Sequence, residues 1–120
     1  MKLPGPDHPI HIEPYEGTVS VTVGGAEIAR STRALALSEA AYPTVYYLPR
    51  ADVAMESFQR SEKVSHCPYK GDAAHYTASV PGAAIENAAW SYEAPYGAVA
   101  DIEGHLAFYP GQVQITAQPG

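Results

Sequence analysis

A chain of 120 residues, 46% hydrophobic and 17% charged, fits one folded domain with one modest core and excludes a solvated disordered chain. Its net charge of -6, with seven Lys and Arg scattered along it, offers no basic field for a phosphate backbone, so nucleic acid is not an expected partner. No apolar run approaches the roughly 20 residues that span a bilayer, the opening Met1-Lys2-Leu3-Pro4-Gly5-Pro6 lacks a signal-peptide stretch, and the single Cys67 leaves no internal disulfide, so the expected setting is the cytoplasm, away from membranes.

Residues 1–12, proline-rich and carrying His8, read as a poorly ordered N-terminal arm, and 13–120 as a single all-β domain. Over 18–23 the chain alternates strictly, with Val19, Val21 and Val23 on one face and Thr18, Ser20 and Thr22 on the other, the pattern of a half-buried strand. Gly24-Gly25 suits a two-residue hairpin turn, so 26–30 returns beside it. Leu35 and Leu37 alternate again, and 44–48 is a β-branched and aromatic run between Pro43 and Pro49, giving two more strands. The spacing of Val53, Ser57 and Phe58 predicts one short helix over 52–59, with Asp52 at its positive end.

Polar residues 60–65 lead into His66-Cys67-Pro68-Tyr69-Lys70-Gly71, where proline and glycine predict a tight turn. Residues 75–80 alternate, Pro81-Gly82 turns, and 85–92 sets Trp90 and Tyr92 on one strand face. Pro95 and Gly97 mark a loop, 105–109 is a strand, Pro110-Gly111 turns the chain, and 113–116 closes the sheet. Many short strands with one short helix indicate a mainly β sandwich, roll or partly open barrel.

Five stretches together carry a resemblance: His8-Pro9-Ile10; Ile28 to Leu35 with Glu39; Tyr46-Tyr47-Leu48-Pro49-Arg50; Cys67-Pro68-Tyr69-Lys70-Gly71; and Trp90-Ser91-Tyr92-Glu93-Ala94-Pro95. The chain resembles the bacterial and fungal domain family of unknown function numbered 427 over most of its length. The resemblance implies a compact coiled-sheet, tent-like β fold, and a nucleotidyltransferase label goes with the family. Nucleotidyl transfer needs carboxylates that hold magnesium or a lysine that takes the nucleotide covalently. Lys70-Gly71-Asp72 is not the lysine-first motif of the covalent enzymes, and Asp101-Ile102-Glu103 lacks the Gly-Ser context of the metal-dependent ones.

Two constellations offer chemistry. Arg33, Arg50 and Lys70, with Tyr46, Tyr47, Tyr76 and Trp90, would receive a small anionic or nucleotide-like ligand if the strands gather them: guanidinium forks and an ammonium for a carboxylate or phosphate, rings for a planar body. The structural alternative pairs the arginines with Glu39, Asp52 or other acids and puts the rings in the core. In the second, His66 or Lys70 beside Cys67 would favour the thiolate, making Cys67 the nucleophile of a thiol enzyme or redox protein, with His66, His75 or Glu39 handling protons. The alternative there is a buried thiol packing as a small apolar group.

His8 and His11 lie on opposite faces of an extended arm, and Asp101 with Glu103 on one strand face is a solvated pair, so no metal site is expected. No particular cofactor is implied. A non-catalytic interaction module, with a homodimer among its forms, is the remaining alternative.

Overall fold

The computed structural model describes residues 1–120 as a mainly β globule of three sheets, with no closed barrel. No helix is long and apolar enough to cross a membrane. One sheet has the order β1-β4-β5, built from β1 (Ile10–Pro14), β4 (Leu35–Glu39) and β5 (Val45–Tyr47). A second has the order β10-β2-β3, from β10 (Gln114–Pro119), β2 (Gly17–Val23) and β3 (Ala26–Ser31). The third is β6-β7-β8-β9: β6 (Phe58–Cys67), β7 (Gly71–Val80), β8 (Ala83–Ser91) and β9 (Ala107–Phe108). All pairings are antiparallel.

The alternation in β2 is real, for Val19, Val21 and Val23 are all buried. Gly24 and Gly25 both take positive φ, 55° and 83°, which is what a hairpin turn of the β2–β3 kind requires. The four-stranded sheet is covered on both faces, because directly opposed residues of antiparallel strands share a face. Ala74, Tyr76, Ala89 and Phe108 face the β10-β2-β3 sheet and join the larger core cluster with Val19, Val21 and Leu48. Ala73 and Ala107, with Trp90 packed against them, face the β1-β4-β5 sheet in a smaller cluster with Leu37, Tyr47 and Tyr92. An isolated bridge from Leu48 to Leu106 links the end of β5 to the start of β9, and one from Ala29 to Val53 pins the chain after β5 to β3.

Four expectations change. The helix over 52–59 is two single 3-10 turns, Arg50–Asp52 and Met55–Ser57, because between them Val53 is extended and bridges Ala29, and Ala54 N–H donates to Ile28 O. The polar stretch after it is the strand β6, an edge strand whose exposed residues show no alternation to detect. The arm boundary at residue 12 falls inside β1, and earlier residues are also tied down: Lys2 N–H donates to Pro68 O at 2.7 Å, and Gly5 bridges His8. Asp101 lies in the 3-10 segment Gly97–Ile102 and Glu103 follows it, both exposed, so these acids occupy a turn and not a strand face.

Candidate functional site

Residues of the β1-β4-β5 sheet and the four-stranded sheet, with Ile115 of β10, line a cavity of about 1010 Å³, and twelve of its twenty lining residues are hydrophobic. Ser65 and Cys67 of β6 and Trp90 of β8 supply the floor; Leu37, Glu39, Val45 and Tyr47 of β4 and β5 supply the opposite wall. The β6–β7 turn, Pro68 to Lys70, and Tyr42 to Thr44 form the rim. The predicted tight turn is therefore a hairpin tip that carries site residues, with Lys70 N–H donating to Cys67 O and Gly71 at φ 109°.

The polar end is built on Glu39, the last residue of β4. Lys70 Nζ donates to its Oε1, and His8 Nε2 lies 2.7 Å from its Oε2. A carboxylate only accepts, so His8 Nε2 carries the hydrogen. The His8 ring stacks on Tyr69, centroids 3.9 Å apart and planes within 6°, and Lys70 Nζ sits 5.9 Å from the centre of the Tyr92 ring. Burial pushes the Glu39 carboxyl up, but the hydrogen bonds from Lys70 and His8 outweigh it and hold Glu39 below its ordinary value. Burial pushes the Tyr47 and Tyr92 phenols well up, so both stay protonated. Trp90 Nε1 donates to the Tyr47 oxygen at 3.3 Å, which leaves the Tyr47 hydroxyl hydrogen for another acceptor.

Of the expected ligand-binding set, Tyr46, Tyr47, Lys70 and Trp90 line the cavity. Arg33, Arg50 and Tyr76 do not. Arg33 Nη2 donates to Asp52 Oδ1 at 3.1 Å, and Ser31 Oγ donates to the other oxygen of the same carboxylate. Arg50 donates to Glu93 at 2.9 Å and to the Tyr76 oxygen at 3.4 Å, while the Tyr76 hydroxyl donates to Glu93 at 2.7 Å. Strand alternation explains Tyr76, which points to the face of β7 opposite to its neighbour His75. Of the expected thiol set, Cys67 and Glu39 line the cavity, whereas His66 is exposed and pairs with Asp72 at 2.7 Å. No group of three or more His, Cys, Asp and Glu side chains converges in metal-holding geometry.

A family model described as a domain of unknown function (DUF427) matches residues 11–119, nearly the whole chain. The chain belongs to the DUF427 family. A search of curated proteins found no significant match. In this DUF427 chain the cavity also takes residues that sequence reasoning passed over as ligand contacts: His8, Tyr42, Tyr69, Tyr92 and Tyr109. His8 was legible as a metal candidate and within the His8-Pro9-Ile10 stretch, but no periodicity marks an arm residue that crosses to β4. Tyr92 was legible, because it shares a strand face with Trp90.

Proposed function

We propose that this domain binds a small organic molecule with a flat or apolar body and an acceptor-bearing, carboxylate- or phosphate-like head. The observation that carries this reading is the cavity itself: its volume is of drug-sized-ligand scale, its walls are mostly apolar, and Glu39, Lys70 and His8 in its lining are joined in one cluster. The rings of Tyr47, Trp90, Tyr92 and Tyr109 take the body. The head meets the Tyr47 hydroxyl and the remaining N–H groups of Lys70, an arrangement that needs no arginine. Because Glu39 already offsets the Lys70 charge, donor geometry and burial contribute more here than net charge does.

The presence of Cys67 in the cavity wall favours, as a second reading, a thiol that reacts with the bound molecule. His66, turned away to Asp72, is not its base. A reducing, cytoplasmic setting is part of the proposal, since the single thiol has no partner to oxidise with.

A thermal-shift panel of 2-naphthoate, phenyl phosphate, AMP and FMN tests the reading. A ligand at 100 times its Kd stabilises by about 2.7 kcal/mol, a rise of several degrees in Tm for a domain of this size. The same ligand should slow alkylation of Cys67 by iodoacetamide. If no compound raises Tm and none shields Cys67, the cavity is not a binding site.

A further inference from the structure

The β6–β7 hairpin brings two further side chains together. Ser65 is directly opposite Ala73, and His75 is the next residue along β7 on the same face. Ser65 is exposed at the cavity floor, whereas His75 is only 1% exposed. Ser65 Oγ and His75 Nε2 lie 2.8 Å apart. The other ring nitrogen, Nδ1, is a buried polar atom with no hydrogen-bond partner, and such an exception in a folded protein calls for an explanation. Burial first, and the Lys63 ammonium second, lower the His75 pKa below its ordinary 6.5. The ring is therefore neutral at pH 7, with a hydrogen on one nitrogen and a lone pair on the other. With the hydrogen on Nδ1, Nε2 accepts the Ser65 hydroxyl proton, which is the relation of a nucleophile to its base.

We propose that Ser65 and His75 form a nucleophile–base pair that takes an acyl group from an activated ester or thioester whose apolar part occupies the cavity. This rests on the cavity as a ligand site. Ser65 Oγ attacks the carbonyl carbon while its proton passes to His75 Nε2 and the carbonyl electron pair moves onto oxygen. On collapse the bond to the leaving oxygen or sulfur breaks, and His75 returns the proton to it, giving acyl-Ser65 and a free alcohol or thiol. Water, deprotonated by the same nitrogen, then adds to the acyl carbon, and His75 returns that proton to Ser65 Oγ as the ester bond breaks and the carboxylic acid leaves. The Lys63 ammonium holds down the basicity of His75, and the Tyr109 ring, 9° from parallel with the imidazole and 6.2 Å from it, packs against the base. No carboxylate stands behind Nδ1. Serine triads that lose the effect of theirs drop about 10⁴-fold in kcat, which limits this pair to acyl donors with good leaving groups and excludes amides.

The probes are 4-nitrophenyl acetate and an alkyl fluorophosphonate. The expected result is a burst of one equivalent of 4-nitrophenolate and an adduct mapped by mass to Ser65, absent in Ser65→Ala and formed about 100-fold more slowly in His75→Gln. The wild-type acylation rate should also hold its plateau below pH 6.5 and fall only as His75 gains its proton; this measurement stands even if His75→Gln does not fold. The groups facing the imidazole in that titration are Ser65 and Lys63 from β6, Trp90 from β8 and Tyr109 beyond β9. A folded protein with Ser65 unmodified overturns the proposal, as does equal labelling of a folded His75→Gln or a pH break above 6.5. A wild-type Tm shift with 2-naphthoate but no adduct removes the pair and leaves the cavity reading standing; an adduct with no Tm shift from any compound of the panel and no shielding of Cys67 does the reverse.

Discussion

Glu39 holds two donors on one carboxylate, Lys70 on one oxygen and His8 on the other, in a place where the Lys70 side chain is 9% exposed and that of Glu39 15%. Removing one member of a pair this deep leaves the other charge desolvated without compensation, which costs about 3 kcal/mol or more. Glu39→Gln should therefore lower Tm by several degrees, and adding Lys70→Met should recover most of the loss, since the stranded ammonium is gone. Chemical denaturation of the two variants checks this. If the double variant is no more stable than the single one, Lys70 was not stranded and the pair is a surface-like contact. Glu39 and Lys70 were each visible as separate candidates in the sequence, but their pairing was not, because 31 residues separate them and only the packing of β4 over the β6–β7 turn brings them together.

The β6–β7 hairpin is the element on which the site depends, and it shows both what the pattern reveals and what it hides. The turn at Pro68 to Gly71 follows from proline and glycine chemistry, and β7 follows from its alternation. β6 stays hidden because an edge strand exposed along most of its length carries the same polar residues as a loop. Had the turn been folded back on β7, Ser65 would have fallen opposite Ala73 and next to His75 from the sequence alone. The short helix failed for a different reason: local periodicity at Val53, Ser57 and Phe58 lost to the tertiary pairing of Val53 with Ala29. Gly71 tests the hairpin directly. At φ 109° an alanine is strained whatever the free space, so Gly71→Ala should cost about 1–3 kcal/mol. It should also weaken any ligand-induced Tm shift beyond what lost stability explains, because the strain falls one residue from Lys70. An unchanged shift in a destabilised Gly71→Ala would mean that the turn geometry does not set the site.

Across the whole molecule, the acid response gathers groups that lie far apart in the fold. His75 is buried neutral in the β6–β7 face, Glu39 closes the cavity, and Glu93 lies with Arg50 and Tyr76 on the opposite side of the sheet. All three have folded pKa values below their ordinary ones: His75 through burial and Lys63, Glu39 and Glu93 because hydrogen bonds and positive neighbours outweigh burial. For each, the unfolded chain binds the proton at a higher pH than the native state does, so stability falls with decreasing pH in the window between the two values. For His75 that window opens at 6.5, and for the two glutamates at 4.5. Melting followed from pH 8 to pH 3 should therefore show a level region, a gentle decline that begins near 6.5, and a steeper one below 4.5. His75→Gln should abolish the first decline and keep the second, while Glu39→Gln should soften the second and keep the first. A wild-type Tm that stays level down to pH 4.5 would mean that His75 takes up its proton as readily in the folded protein as in the unfolded chain, against its burial and its unpartnered nitrogen.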